Sequence, residues 1–352
     1  MNIAILGTGN VGNTLAADLT LKGNKVNLVK TSGNPIHNEN FSKILKTREI
    51  KMITETGKEK IALINLVTKD IEAGIKDADI IIITIQTIYH EELIKKLVPF
   101  LKDQIIMMLP GYLSTYLFKK YMGDNFNKCT FVECESSTID CRIVSPGVVR
   151  VLFENVRNPI AVFPSDRTEK IAEKLKGFGY NYFCRENIIE TALHNPNLIV
   201  HTIGGLMSIP RIENSKVGYS MYREVFTPTV WKLVEGLDQE KKDILSKMNF
   251  APISYLDACC FRNSEDLNID SKEIFVKYAN NSAPDGPNVS NSRFITEDVP
   301  EGLVLMESIG KLLKIETPIT TSLIDLANTF MGKEYRKVGR TLERLGVEEL
   351  QM

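Results

Sequence analysis

MNIAILGTGNVGNTLAADL, residues 1–19, is the stretch whose reading decides the fold. Residues 2–6 are an apolar run of strand length, and the chain then turns through Gly7-Thr8-Gly9-Asn10-Val11-Gly12. From Asn13 onward, Leu15, Ala16, Leu19 and Leu21 recur at helical spacing. Strand, glycine turn and helix form the context in which G-x-G-x-x-G reads as a dinucleotide-binding fingerprint. Gly7 permits the tight turn, Gly9 lets bare backbone approach a pyrophosphate, and Gly12 lets the helix lie close to the strand. The phosphates are expected on the unpaired N–H groups at the positive end of the helix, with Thr8, Asn10 and Val11 completing the candidate coenzyme site. The alternative, a glycine-rich turn without a ligand, is disfavoured by the clean strand before it.

The second strand is expected over residues 25–29. An NAD-binding chain would place an acidic residue near its end, about 20 residues past the glycines, to accept the ribose hydroxyls. Here that place holds Lys30, followed by Thr31 and Ser32. A cation with two hydroxyls suits a 2′-phosphate, so NADP is the favoured coenzyme, with NAD the second choice. A solvated strand end is the other reading of Lys30.

Further on, Asn34-Pro35 breaks the chain and residues 41–45 can form a short helix. Residues 50–54 and 60–66 read as a polar hairpin or two edge strands around Thr56-Gly57. A short helix over 71–75 precedes DIIIITIQT (79–87), whose four isoleucines suit a parallel strand buried on both faces. A helix over 91–101, a strand over 104–109 and the exit Pro110-Gly111 follow. Strands over 129–134 and 142–153 (turning at Ser145-Pro146-Gly147), 158–164, a helix over 167–176 and a strand over 180–184 complete the alternation. The fold class is therefore α/β, a doubly wound Rossmann-type parallel sheet, with a dinucleotide-binding domain over residues 1–185. Ligands of such sheets lie beyond the carboxyl ends of the strands, so Gln86 and the loops 86–90 and 110–112 are expected beside the nicotinamide. From 186 to 352 apolar residues recur at three- and four-residue spacing, as in Val230, Leu233, Val234 and Leu237. That pattern predicts a mostly α-helical second domain for substrate and catalysis. Its one long loop is expected over residues 278–296, rich in Asn, Ser, Pro and Gly.

A chain of 352 residues is long enough for two cores. Its 43 Lys and Arg against 44 Asp and Glu, net charge −1, argue against a nucleic-acid partner. The longest apolar runs are too short to cross a bilayer, so no membrane partner is expected. The strand that opens the chain argues against a signal peptide. Six cysteines without metal-ligand spacing read as reduced, cytoplasmic thiols, and no metal is expected.

An oxidoreductase of this plan needs an acid–base group and a substrate clamp from the second domain. Of four histidines, His201 lies within NPNLIVHTIGGLMSIPRIE (195–213). Asn197 precedes it by one helical turn on the same face, and Gly204-Gly205 clears volume beside the ring, as an approaching substrate or coenzyme would need. A histidine near its intrinsic pKa is suited to proton transfer; the competing reading is a core histidine satisfied by backbone. Arg293 offers a planar fork for a carboxylate, or is a solvated loop cation. Asp298 can hold an imidazole in one tautomer, or cap the helix before Glu301. Trp231 and Tyr222 could line a donor pocket, although a core role suits both better.

GTGNVG (7–12), VECESSTIDCR (132–142), NPNLIVHTIGGLMSIPRIE (195–213), YREVFTPTVWKLVEGLDQE (222–240) and SRFITEDVPEGLV (292–304) together resemble the opine dehydrogenase family, nearly end to end. That resemblance implies a Rossmann domain joined to a helical domain, and reductive condensation of an amino acid with a 2-oxo acid by NAD(P)H. It implies further that His201 is the catalytic histidine, Asp298 its dyad partner, Arg293 the residue fixing a substrate carboxylate, and Asn197 part of the same site. The chain departs from the family's pattern at Thr202, where proline commonly follows the histidine, and at Lys30, while Ser208 conserves the small polar residue seven positions on. Two other readings stay open: a ketopantoate-reductase-like or 2-hydroxyacid dehydrogenase acting on a plain carbonyl, and a non-catalytic NADP-binding sensor. The amino donor is not legible, nor is the oligomeric state, where a homodimer is one option.

Overall fold

The isoleucines of β6 (Ile80–Ile83) are each no more than 2% exposed, because this strand lies in the middle of the main sheet with neighbours on both edges. A strand covered on both faces has no polar alternation to show. The computed structural model describes residues 1–350 apart from 215, 216, 282 and 284. The chain divides into two units, Met1–Ile188 and Ile189–Met352.

In the first unit the eight-stranded sheet runs β12-β11-β8-β7-β6-β1-β2-β5. Its members are β1 (Asn2–Leu6), β2 (Lys25–Val29), β5 (Leu66–Thr68), β6, β7 (Ile105–Met108), β8 (Thr130–Cys134), β11 (Asn158–Phe163) and β12 (Tyr182–Cys184). From β5 to β8 every neighbouring pair is parallel. β11 returns antiparallel to β8, and β12 follows β11 in parallel. The sheet is thus parallel-dominated rather than uniformly parallel. The physical reason is the connection: β8 and β11 are joined by a hairpin, not by the helical crossover that parallel neighbours require.

That hairpin, β9 (Ile139–Ser145) and β10 (Val148–Glu154), joins β3 (Glu49–Ile53) and β4 (Glu59–Leu63) in a second sheet of order β4-β3-β10-β9. The two expected edge strands around Thr56-Gly57 are β3 and β4. Helix α1 (Asn10–Leu21) packs against all four strands of this small sheet as well as against β1 and β2. Leu15, Ala16, Ala17 and Leu19 are consequently at most 2% exposed. The helices α2 (Asn38–Thr47), α3 (Ile71–Ile75), α4 (His90–Leu97), α5 (Ser114–Met122) and α6 (Thr168–Leu175) complete the unit, α5 being without a counterpart in the sequence reading.

The second unit is helical: α7 (Ile188–Leu193), α8 (Asn197–Asn214), α9 (Met221–Glu224), α10 (Pro228–Lys247), α11 (Tyr255–Asn263), α12 (Ser271–Asn281), α13 (Arg293–Thr296), α14 (Val304–Leu313), α15 (Pro318–Met331), α16 (Tyr335–Val338) and α17 (Leu342–Leu345). The loop expected over 278–296 is shorter, because α12 takes its first residues and α13 its last; Ser282 and Pro284 within it lie outside the described residues. A short π-helical turn, Val299–Leu303, links α13 to α14. Trp231 and Tyr222 belong to an aromatic core with Phe226 and Phe275, and Tyr278 packs edge-on against Tyr222. No helix among the described residues is long and apolar enough to cross a membrane.

Candidate active site

In the first unit the glycine turn leaves β1 and enters α1 at Asn10, three residues earlier than the apolar spacing indicated. The intrahelical ladder begins with Asn13 N–H donating to Gly9 O, so the amides ahead of it are the free donors of the helix start. A Cβ at Gly12 would stand 2.0 Å from Gly7 O, and one at Gly7 2.6 Å from Thr84 Oγ1. Both glycines are therefore demanded by protein packing. A Cβ at Gly9 would meet nothing within 4 Å. The glycine there leaves an open approach to bare backbone, and this is the fit a pyrophosphate needs. Thr8 is buried and Val11 half-buried. Asn10 holds the hairpin, its side-chain oxygen accepting from Ile143 N–H at 2.9 Å.

Lys30 is not a solvated strand end. It is 5% exposed, and its ammonium donates to Asn34 O (3.1 Å) and Ile36 O (3.4 Å). Burial, and after it the charge of Lys69, lowers its pKa; His37 is lowered by burial and by Lys30. Two lysines, Lys30 and Lys69, thus lie together at the end of β2, each within about 6 Å of the Phe41 ring. Thr31 beside it is half-buried.

At the carboxyl ends of β6 and β7, Gln86 is half-buried and starts a turn of 3₁₀ helix over Thr87–Tyr89. The exit of β7 is more strained: Tyr112 and Leu113 both take left-handed backbone (φ 48° and 62°). The buried carboxylate of Glu133 holds it in place, accepting from Leu113 N–H (2.8 Å), Thr115 N–H (2.9 Å) and Thr115 Oγ1 (2.7 Å). Gly111 permits this approach, since a Cβ there would fall 2.3 Å from Glu133 Oε2. His90 is a structural histidine, 2.7 Å from Ser114 Oγ and 3.2 Å from Ile85 O.

In the second unit His201 sits in the second turn of α8, and its Nδ1 lies 2.8 Å from Asp298 Oδ2. The two residues are 6% and 2% exposed. Asp298 precedes the π turn yet makes no side-chain capping bond to it, so its carboxylate serves the imidazole. Phe294 stacks on the ring, with centroids 3.6 Å apart and planes 8° from parallel. Sequence reasoning missed this residue; the only signal was its place between Arg293 and Asp298. Gly204 and Gly205 clear volume as expected, but protein fills it. A Cβ at Gly204 would meet Met221 Sδ at 2.6 Å, and one at Gly205 would meet Ile295 Cγ1 at 3.1 Å and Phe294 Cβ at 3.2 Å. Gly205 thereby admits α13 close enough for Phe294 to reach the ring.

Arg293 opens α13 next to Phe294. Its side chain is 52% exposed, with Nη1 3.8 Å from Glu297 Oε2, leaving most of the guanidinium open to a ligand. Asn197 is the half-buried first residue of α8, one turn ahead of His201. Thr202 and Ser208 spend their hydroxyls on helix carbonyls, Leu198 O (2.6 Å) and Gly204 O (2.5 Å). The structure thus joins His201, Asp298 and Phe294 directly and sets Arg293 and Asn197 on their flanks.

The stack yields a prediction. Parallel aromatic contact contributes on the order of 0.5–1.5 kcal/mol, and here it fixes the plane of the imidazole. Phe294→Leu is expected to lower kcat/KM by roughly two- to tenfold with Phe294→Tyr near wild type. Equal losses in both variants, read from initial rates, would contradict a role for the stacked ring.

A Rossmann-type unit with an open glycine cradle, followed by a helical unit with a buried His–Asp pair, defines a nicotinamide-dependent oxidoreductase class. The comparisons refine it. Residues 3–151 match the family model described as ketopantoate reductase PanE/ApbA, and residues 184–331 match that of the NAD/NADP octopine/nopaline dehydrogenase α-helical domain. An opine dehydrogenase of Arthrobacter sp. (strain 1C) is 29% identical over 353 residues, covering 99% of this chain and 95% of the relative. Among solved structures, octopine dehydrogenase in complex with NADH and agmatine superposes with a TM-score of 0.80 at 18% identity, over 98% of this chain and 96% of that one. Yersinopine dehydrogenase with NADP⁺ bound gives 0.73 at 15% identity, over 98% and 96%. Over nearly its whole length the chain is thus similar to opine dehydrogenases, NAD(P)-dependent oxidoreductases acting on CH–NH bonds, and residues 184–331 carry the helical domain described for the octopine/nopaline group.

Proposed function

We propose that the protein reductively condenses the amino group of an amino acid with a 2-oxo acid, and that His201 and Asp298 carry the proton transfers. The observation that supports this most strongly is the 2.8 Å contact between His201 Nδ1 and Asp298. With Nδ1 beside a carboxylate, the proton transfers are assigned to Nε2, and the Asp298 charge favours the imidazolium formed on the way. Arg293 would fix the carboxylate of the 2-oxo acid by paired hydrogen bonds. His201 Nε2 would take the proton that frees the attacking amine from its ammonium form, and return it to the hydroxyl that leaves as water, giving the imine. Hydride for the imine carbon is what bound NAD(P)H supplies through its nicotinamide. Asn197 would line the same site.

We propose NADP as the preferred coenzyme. Residues 30–36, which follow β2, include no Asp or Glu to receive ribose hydroxyls, and Lys30 and Lys69 lie close together there. Lys30 spends two of an ammonium's three donors on backbone carbonyls, which leaves Lys69 as the more available cation. The match of the first unit to the ketopantoate reductase model keeps a plain carbonyl reductase as the second reading.

One assay separates these readings. NADPH and NADH oxidation would be followed with pyruvate alone, then with pyruvate and each of a panel of amino acids. Oxidation that depends on the amino acid, with the lower KM for NADPH, is expected. Full rates with pyruvate alone would favour the plain carbonyl reading, and a clear NADH preference would overturn the coenzyme assignment. Coenzyme binding without turnover on any carbonyl would leave only a sensor.

A further inference from the structure

Asp298 stands immediately before the π turn Val299–Leu303, and that turn is clamped from outside by the segment between α16 and α17. Arg340 Nη2 lies 2.6 Å from Glu301 Oε2 in an ion pair whose side chains are 4% and 6% exposed. Arg340 N–H donates to Pro300 O at 2.8 Å. Gly339 backs onto the same carbonyl, where a Cβ would stand 2.6 Å from Pro300 O and 3.1 Å from Pro300 Cα. Side chain, backbone and a required glycine from residues 339–340 therefore converge on the two residues that follow Val299. Arg340 also lies beyond residue 331, where the match to the family's helical-domain model ends.

A π turn is a locally altered helix, rare and found mostly at functional sites. Here it begins at the residue after Asp298. A buried ion pair is weak evidence for stability as such, because desolvation opposes the attraction; fixing one geometry is the better-attested use. We propose that Arg340 is a positioning residue for the His201–Asp298 pair, acting through Glu301 and the π turn to hold the Asp298 carboxylate against Nδ1. This rests on the reading of that pair as the proton-transfer machinery.

The test is a double-mutant cycle in the full-length enzyme. Arg340→Lys keeps the charge but loses the planar fork, and it is made alone and together with Asp298→Asn. Arg340→Lys alone is expected to lower kcat about ten- to hundredfold, as small misplacements of catalytic groups do, with little change in coenzyme KM. In the Asp298→Asn background it is expected to have almost no further effect, because the group it positions is already disabled. Equal losses in both backgrounds, or unchanged kcat in Arg340→Lys, would overturn the proposal. If Arg340→Lys does not fold, Glu301→Gln takes its place in the same cycle with the same two outcomes. Wild-type turnover in Asp298→Asn alone would instead sink the dyad reading, and this inference with it. The two failures are therefore distinguishable.

Discussion

His201→Ala is expected to lower kcat by about two to four orders of magnitude, the usual contribution of a positioned proton-transfer group, while the dissociation constant for NADPH stays essentially unchanged. The asymmetry follows from where the residues lie. Every residue assigned to the coenzyme belongs to Met1–Ile188, whereas His201 and its partners belong to Ile189–Met352. Asp298→Asn should follow the same pattern. The amide keeps the shape of the carboxylate but loses the charge that favours the imidazolium, and a loss of about a hundredfold or more is expected. The alternative role for a 6% exposed histidine is core packing. On that role alanine would lower the melting temperature and leave the rate per folded molecule near wild type. Steady-state kinetics and a thermal melt on the same preparation separate the two.

The second large effect is a contrast between two glycines. Gly12→Ala puts a methyl group 2.0 Å from Gly7 O and 2.7 Å from Thr84 Oγ1. Neither neighbour is the free end of a flexible chain, so α1 must move away from the turn. Overpacking of this kind costs about 1–3 kcal/mol, and both stability and coenzyme affinity are expected to fall. Gly9→Ala adds the same methyl group where the protein offers nothing within 4 Å, at ordinary backbone angles. Its melting temperature should match wild type, yet coenzyme affinity should fall about tenfold or more, because the methyl group would occupy space meant for the pyrophosphate. Isothermal titration with NADPH reads both. Unchanged affinity in Gly9→Ala would mean that the pyrophosphate does not approach at this glycine.

These contrasts show how unevenly the molecule is legible from its sequence. The parallel strands were readable because two-sided burial leaves continuous apolar runs such as Ile80–Ile83. Chain direction is not encoded in such runs, so the antiparallel return of β11 emerged only with the hairpin of β9 and β10 in its own sheet. Helix α5 was missed because the first seven of its nine positions read STYLFKK, where apolar, aromatic and basic residues adjoin without a clear period. In the candidate site, the residue types of His201, Asp298 and Arg293 advertise their chemistry. Phe294 does not, since one aromatic residue in a polar stretch looks the same whether it faces solvent or an imidazole. The function of Gly204 and Gly205 was only half legible: small residues declare that something comes close, but not whether it is ligand or, as here, Met221 and α13. Lys30 shows the same limit, because a charge at the end of a strand says nothing about which carbonyls it turns toward.

The buried ion pair of Arg340 and Glu301 lies still further from what sequence can show, for its partners are separated by the three helices α14, α15 and α16 and carry no motif. It ties the π turn after Asp298 to the segment between α16 and α17. The His201–Asp298 pair is then supported from two sides, by α13 through Gly205 and Phe294, and by residues 339–340 through Pro300 and Glu301.

The central claim is that the reduced bond is a carbon–nitrogen bond assembled from two substrates. It is tested most directly by the mass of the product formed with NADPH deuterated at the transferring position, pyruvate and the amino acid that gives the fastest turnover. The account predicts a secondary amine whose mass is that of both substrates less one water, plus one deuterium and one hydrogen, with the label on the carbon that was the ketone. Deuterated 2-hydroxy acid beside unchanged amino acid would contradict it.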